Sequence, residues 1–254
     1  MKRVITLTVF ALSLLACYVC VFPNAVQAAE SPERATAPGH EPKADDETGF
    51  KRLFNGKDLT GWEGDPRIWS VKDGAITGQT TKEIRVSENC FLIWNGGNVA
   101  DFELRLKFRL VGGNSGIYFH SQKRAPGQKG EPLVGPQADF SADNRWTGVL
   151  MEYTRRDILA ERGQKVVIDQ QGNKRVIGSV GDSKKLLQAV RNEEWNDYTV
   201  IAEGGHVVLK INGVVMCEVK DNDPKRVPTG LLALQVHVGP PMLVQFKEIR
   251  LRPR

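Results

Sequence analysis

Apolar and polar residues alternate with a period of two through much of the chain. The clearest case is residues 101–110 (DFELRLKFRL), where apolar side chains occupy the even positions and charged ones the odd positions after Asp101. A period of two places successive side chains on opposite faces of a strand. This segment therefore predicts a β-strand with one buried face and one solvated face.

The same pattern predicts strands at residues 198–203, 207–211, 214–219, 231–238 and 242–251. Asn212-Gly213 separates two of these runs, and this pair favours a type I′ hairpin because both central residues of that turn need positive φ. In the last run the alternation changes phase between Phe246 and Ile249, which predicts a β-bulge.

Shorter runs predict a hairpin of residues 69–71 with 75–77, a strand at Cys90–Trp94, and a hairpin of 166–169 with 175–177. Helical spacing is confined to residues 183–190, enough for one or two turns. Many short antiparallel strands with turn residues between them indicate an all-β fold, a jelly-roll β-sandwich.

The first 28 residues have the pattern of a secretory signal peptide. Lys2 and Arg3 precede an apolar run over residues 4–22, and small residues follow up to Ala28. Export to the periplasm or the medium is therefore expected, with no membrane span left after cleavage. A retained membrane anchor, or a lipoprotein attached through Cys17, is the alternative reading.

Residues 29–48 predict a disordered linker, because they hold three prolines and no aromatic residue and cannot bury enough apolar surface to fold. One folded domain is then expected over residues 49–254. Its two cysteines, Cys90 and Cys217, form either one disulfide or two buried thiols. The net charge is +5, but the basic residues alternate with acidic ones along strands, so we expect no nucleic-acid partner.

Candidate chemistry begins directly after the strand at 101–110. Gly112-Gly113-Asn114-Ser115-Gly116 is followed by His120 and then by Gly135-Pro136-Gln137-Ala138-Asp139. Glycines beside amide, acid and imidazole side chains on short strands predict a polar surface that a ligand approaches closely.

Alternation sorts these polar residues by face. Gln137 shares a face with Asp139, Gln235 shares a face with His237, and Glu152 lies opposite its apolar neighbours. If these faces line one sheet surface, all five side chains converge there, with Asn114 and His120 at the edge. Trp146, in a polar loop, is the tryptophan best placed to stack on a sugar ring.

Seven segments in order resemble the 3-keto-disaccharide hydrolase domain family: FNGKDLTGW at 54–62, WSVKDG at 69–74, GNSGI at 113–117, GPQADF at 135–140, EWNDY at 194–198, ING at 211–213 and LQVH at 234–237. The resemblance covers residues 50–251. It implies a concanavalin A-like lectin/glucanase fold and, as substrates, glycosides whose sugar is oxidised to a ketone at C3. Many family members carry Arg in place of His120 and an aromatic residue in place of Pro136.

The substrate chemistry that the family implies assigns roles to these residues. A C3 ketone acidifies the C2 proton, so a base, an acid for the leaving oxygen and a group that stabilises the enolate are needed. We expect His237 and Glu152 to transfer protons, with Asp139 as a third candidate. Gln137, Gln235, Asn114, His120 and Trp146 are expected to bind substrate. A divalent cation held by Asp139 and His237 would supply the enolate stabilisation.

Two other functions compete with this one. Conventional glycoside hydrolysis needs two carboxylates flanking the bond, and Glu152 stands alone in its strand. A non-catalytic carbohydrate-binding module needs only aromatic platforms and polar side chains, and the same fold serves both functions.

Overall fold

Alternating strands assemble into two sheets in the computed structural model, which describes residues 47–125 and 132–254. The described residues belong to one unit, Asp46–Arg254. The predicted signal peptide, with the lipoprotein cysteine Cys17, and almost all of the predicted linker lie outside the described residues.

The strands are β1 Lys51–Arg52, β2 Trp62–Glu63, β3 Trp69–Lys72, β4 Ala75–Gln79, β5 Cys90–Trp94, β6 Phe102–Val111, β7 Asn114–Lys123, β8 Leu133–Val134, β9 Gln137–Ser141, β10 Leu150–Glu152, β11 Asp157–Ala160, β12 Gln164–Ile168, β13 Lys174–Ser179, β14 Asn196–Glu203, β15 His206–Ile211, β16 Val214–Asp221, β17 Leu231–Val236 and β18 Leu243–Pro253. One short helix, α1 Ser183–Leu186, continues into a 3₁₀ turn at Leu187–Ala189. The all-β prediction is therefore confirmed.

A ten-stranded sheet has the order β13-β12-β16-β15-β14-β6-β18-β4-β3, with β1 added beside β18. An eight-stranded sheet has the order β11-β10-β9-β7-β17-β5-β2, with β8 beside β7. The two sheets form a jelly-roll β-sandwich. Among the described residues, the pairing of β12 with β16 is parallel and the other strand pairings are antiparallel.

The core lies between the sheets and contains the alternating apolar residues of both. Phe102, Leu104 and Leu106 of β6 enter it from the ten-stranded sheet, and Ile117 and Phe140 enter it from the eight-stranded sheet. Each of these side chains is almost fully buried. The opposite face of the eight-stranded sheet is therefore free to carry polar residues.

Two local predictions are confirmed by backbone geometry. Asn212 and Gly213 have φ of 48° and 80°, as the hairpin between β15 and β16 requires. In β18 the register with β6 shifts between Lys247 and Arg250, and Glu248 has φ of 53°, which is the expected bulge.

Cys90 and Cys217 lie on different sheets and are both free thiols. The disulfide alternative is therefore wrong. Burial raises the pKa of the Cys217 thiol to about 12, so this thiol is inert at neutral pH. Within 47–125 and 132–254, no helix is long and apolar enough to cross a bilayer.

Candidate functional site

The outer face of the eight-stranded sheet contains a cavity of about 250 Å³. Its lining is largely polar and aromatic and consists of Asn89, Asn114, Tyr118, Gln137, Asp139, Trp146, Met151, Tyr153, Asp157, Gln235, His237 and Val238. Pockets for drug-sized ligands usually measure about 300–1,000 Å³. This cavity therefore suits a single sugar ring.

Strand register brings the polar side chains together. Tyr118 of β7 lies opposite Gln137 of β9, so these two side chains share a face. Their chain neighbours Ile117 and Ala138 pack into the core on the other face. The shared face of Gln137 and Asp139, predicted from alternation, is the face that lines the cavity.

A chain of amide hydrogen bonds forms the floor of the cavity. Gln137 Nε2 donates to Gln235 Oε1 at 3.1 Å, and Gln235 Nε2 donates to the Tyr118 hydroxyl at 3.4 Å. Ser115 Oγ of β7 donates to the Gln235 carbonyl at 2.6 Å, and this bond helps to hold β17 beside β7. Buried amides that bond to each other hold one orientation, so the floor is preorganised.

The absence of a side chain at Gly116 leaves room for the Gln137 side chain. A Cβ on Gly116 would lie 2.3 Å from Gln137 Nε2 and 2.6 Å from Gln137 Cγ. Glycine in the middle of a strand usually marks such a close approach. Gly116 therefore serves the site, although it makes no polar contact itself.

Asp139 is the buried acid of the cavity, with 3% of its surface exposed. Burial raises the pKa of its carboxyl to about 7, although hydrogen bonds from Asn114 and from the Phe140 backbone lower it. Asn114 Nδ2 donates to Asp139 Oδ1 at 2.9 Å. Because the cavity lining contains no Lys or Arg, Asp139 exchanges its proton near neutral pH.

Among the described residues, Asn114 Oδ1 is a buried atom with no hydrogen-bond partner. A protonated carboxyl can donate to an amide oxygen, whereas an ionised one can only accept. Asn114 Nδ2 therefore donates to the charged form of Asp139, and Asn114 Oδ1 remains available to accept a hydrogen bond.

His237 lies directly after β17 at the side of the cavity. Its Nδ1 contacts the Val238 carbonyl, which only accepts hydrogen bonds, so Nδ1 carries the proton and Nε2 is left with the lone pair in the neutral ring. The Val238 amide donates to Asn89 Oδ1 at 2.8 Å and holds this segment. The imidazole is thus oriented with one nitrogen available for proton transfer.

Aromatic side chains form the rim. Trp146 is half-buried in the loop after β9, and the Arg145 guanidinium lies 4.8 Å from its ring centroid. Tyr153 follows β10 with 63% of its surface exposed. Exposed aromatic rings beside a polar floor are the usual platforms for sugar rings.

Glu152 does not reach the cavity, so the predicted convergence is wrong for this residue. Met151 lies opposite Gln137, which puts Met151 on the cavity face and Glu152 on the reverse face with Leu150. Glu152 is fully buried there. It forms ion pairs with Arg156 and, at 3.0 Å, with Arg155.

His120 does not reach the cavity either. It follows Tyr118 by two positions, but the pairing of β7 with β17 shifts register at this point and His120 has φ of 47°. The bulge reverses the alternation, and the imidazole Nε2 contacts the Ala100 carbonyl at 2.7 Å. Burial lowers the pKa of His120, so this ring is a neutral structural group.

Of the eight predicted residues, the structure brings together Asp139, His237, Gln137, Gln235, Asn114 and Trp146. Sequence reasoning missed Tyr118, Tyr153 and Asn89. Residues 114, 116 and 118 share one face of a strand, so the alternation in the sequence was enough to place Tyr118 beside Asn114. Tyr153 could be placed only by the register of β10 against β9.

Asp139 and His237 do line the same cavity, as a metal site would require. Within the described ranges, however, no three His, Cys, Asp or Glu side chains are grouped so as to hold a metal ion. Divalent cations bound mainly by neutral amides are uncommon, since carboxylates and imidazoles supply most of the affinity. The cation therefore stays a prediction.

The two-sheet sandwich with its polar, aromatic-rimmed cavity defines a jelly-roll domain of the carbohydrate-active type. Residues 49–252 match the family described as the 3-keto-alpha-glucoside-1,2-lyase-like domain. The chain belongs to this family, as its motifs predicted, and its domain is glycosidase-like. No curated protein sequence matched this one significantly.

Solved structures agree with the fold. A proposed glycosyl hydrolase from Parabacteroides distasonis ATCC 8503 superposes with a TM-score of 0.53 over 81% of this chain and 94% of that chain, at 24% identity. A second proposed glycosyl hydrolase from the same organism gives a TM-score of 0.52 over 81% of this chain and 99% of that chain, at 18% identity. At these identities the likeness establishes the fold.

Proposed function

We propose that the cavity cleaves 3-keto-glycosides by elimination followed by hydration. The observation that carries this proposal is that one cavity, with a floor of neutral amides, is lined by both a buried carboxyl of raised pKa, Asp139, and an oriented imidazole, His237. Carboxylates with a pKa near the working pH are the bases suited to removing a carbon-bound proton.

In the first half-reaction, ionised Asp139 takes the proton from C2. The C2–H electron pair forms the enolate with the C3 carbonyl. The enolate electrons then form a C1–C2 double bond as the bond from C1 to the glycosidic oxygen breaks. Protonated His237 gives its Nε2 proton to that oxygen, and an alcohol or phenol leaves.

In the second half-reaction, His237 Nε2 takes a proton from water as the water oxygen adds to C1. The proton on Asp139 returns to C2. Both groups end as they began, and the net change is hydrolysis of the glycosidic bond. The amide hydrogens of Gln137 and Gln235 are the neutral donors of the floor that are suited to the enolate oxygen.

The first experiment uses the full-length protein with a nitrophenyl 3-keto-glucoside and, separately, the ordinary nitrophenyl glucoside. We expect nitrophenol to be released from the keto compound alone. A parallel assay with EDTA tests the predicted cation. Release from both compounds, or binding of the sugar with no release, contradicts the proposed reaction.

His237→Gln should slow turnover about 100-fold when the leaving group is an alkyl alcohol, because general acid catalysis contributes about 10²–10⁴-fold. The loss should be much smaller for nitrophenol, which leaves without a proton. The measurement is the ratio of the two kcat/KM values, which report the first half-reaction and exclude the later hydration step that both substrates share. His206→Gln is the matched control, because His206 is exposed and pairs with Glu218 on the other sheet. Equal losses for the two substrates would remove His237 as the acid.

Gly116→Ala should raise KM about fivefold, since the new methyl group displaces Gln137 and breaks its bond to Gln235, worth about 1 kcal/mol. Gly178→Ala is the control, because a Cβ at Gly178 of β13 would meet only the Lys165 side chain, at 3.8 Å. Steady-state kinetics and the Tm of each variant make the comparison. Unchanged KM with a lowered Tm would show that Gly116 serves packing alone.

We also propose that the protein acts outside the cytoplasm. The apolar run over residues 4–22, followed by small residues up to Ala28, supports this proposal. N-terminal sequencing of protein recovered from the producing cells tests it. A mature chain beginning near Ala29 is expected, whereas a chain beginning at Cys17 would indicate the lipoprotein alternative.

A further inference from the structure

A second groove continues from the cavity along the same sheet face. The groove has a volume of about 850 Å³, and Asn89 lines both the groove and the cavity. Phe91 lies directly opposite Gln235 in the pairing of β5 with β17, so Phe91 and Gln235 share a face. The sheet surface that runs from the cavity across Gln235 therefore reaches Phe91.

The floor of the groove is apolar. Phe91, Tyr118, Leu133 and Ala233 form a cluster separate from the main core, with Ile93 packed against it. The ring centroids of Phe91 and Tyr118 lie 4.9 Å apart in an edge-to-face arrangement. Because Tyr118 lines the cavity and Phe91 lines the groove, the apolar surface is continuous between the two.

The walls of the groove are cationic. Arg67, Arg85, Lys123 and Arg124 line it, against two acids, Asp65 and Glu88. Arg67 pairs with Asp65 at 2.5 Å, and the exposed Lys123 pairs with Glu63 at 3.7 Å.

Arg85 donates from Nε to the Lys82 carbonyl at 3.0 Å. A carbonyl does not neutralise the charge of the Arg85 guanidinium, and within the described part of the chain Arg85 forms no ion pair with a carboxylate. The cavity, in contrast, is lined by Asp139 and Asp157 and by no Lys or Arg.

We propose that the groove is a leaving-group subsite for aromatic aglycones that bear a carboxylate. This inference rests on the proposed function, in which the sugar ring occupies the cavity. A flat ring fits the apolar floor, and a carboxylate on that ring meets Arg85 rather than the acids of the cavity. Exposed ion pairs contribute up to about 1 kcal/mol, so the expected preference is moderate and sensitive to salt.

The test compares two substrates of the full-length protein, the 3-keto-glucoside of 4-hydroxybenzoate and that of its methyl ester. The ratio of kcat/KM for acid over ester is measured for the wild type and each variant, which cancels the different reactivity of the two leaving groups. Arg85→Gln should lower this ratio about fivefold. Glu88→Gln should raise the ratio, because the substitution removes a negative charge that repels the substrate carboxylate. Arg175→Gln, on the distant strand β13, should leave it unchanged.

A ratio that is the same in Arg85→Gln as in the wild type overturns the subsite. If neither keto-glucoside is cleaved, the proposed function fails, and the subsite is then tested separately by calorimetric titration with 4-hydroxybenzoate glucoside. Binding that weakens about fivefold in Arg85→Gln and at high salt still supports the subsite, whereas binding unaffected by both contradicts it.

Discussion

Asp139→Asn should lower kcat for a 3-keto-glucoside by about 10³-fold, within the range expected for loss of a general base. The amide has the shape of the carboxyl but cannot accept a proton from carbon. Its oxygen can still accept from Asn114 Nδ2, which donates to Asp139 at 2.9 Å. Catalysis should therefore be lost without loss of the cavity, and single-turnover kinetics measure it.

Stability gives this variant a second, independent readout. The folded-state pKa of about 7 lies above the value of 3.8 for an unperturbed Asp, so between these pH values the unfolded chain binds fewer protons than the folded one. The contribution of Asp139 to the free energy of unfolding should accordingly fall as the pH rises from about 4 to about 7 and should not change further above that. Asp139→Asn should remove this fall. The Tm of the variant at pH 8 should be no lower than that of the wild type.

Activity should depend on pH in the opposite direction to stability, rising where the contribution of Asp139 to stability falls. For the nitrophenyl 3-keto-glucoside, whose leaving group needs no proton from His237, kcat/KM of the wild type requires only ionised Asp139 and should rise with pH and level off above about 7. Asn114→Ala removes a hydrogen bond that lowers this pKa and should move the rising limb to higher pH. Asp197→Asn is the control, because Asp197 is exposed on β14 of the other sheet and pairs there with Lys107. If the rising limb of the pH profile does not move in Asn114→Ala, the titrating group is not Asp139.

Much of the fold could be predicted from the chain because alternation is a local property. Residues 101–110 indicate which side chains of β6 enter the core, and Asn212-Gly213 indicates where the chain reverses. Gln137 and Asp139 could be placed on one face for the same reason. These predictions need no knowledge of which strands become neighbours.

The positions of Glu152 and His120, the two residues that were wrongly predicted to reach the cavity, depend on how distant strands pair. Alternation correctly put Glu152 opposite Met151, but only the register of β10 against β9 decides which of the two faces the cavity. For His120 the alternation itself fails, because a bulge inserts one residue between Tyr118 and Ser121. A bulge in one strand is defined by the partner strand, so the isolated sequence of β7 does not reveal it.

Glu152→Ala should lower the free energy of unfolding by about 4 kcal/mol, because removing one partner of a buried ion pair leaves the other charge uncompensated. Glu152 is fully buried and pairs with Arg156 and Arg155. Arg156 keeps a second partner in Asp221 at 2.7 Å, so the cluster is weakened rather than destroyed. For a domain of this size the loss corresponds to a fall in Tm of about 8–16 °C.

Glu218→Ala is the matched control, since Glu218 also pairs with two bases, Lys165 at 3.1 Å and His206 at 2.9 Å, but its side chain is only partly buried, with 31% of its surface exposed. Exposed pairs contribute less than about 1 kcal/mol, so this variant should unfold close to the wild-type temperature. Thermal and urea unfolding of both variants, with kcat measured well below each Tm, separate stability from chemistry. Glu152→Gln should keep most of its turnover while it is folded. Loss of turnover at an unchanged Tm would instead return Glu152 to the catalytic machinery, and would require β10 to present its other face to the cavity when substrate is bound.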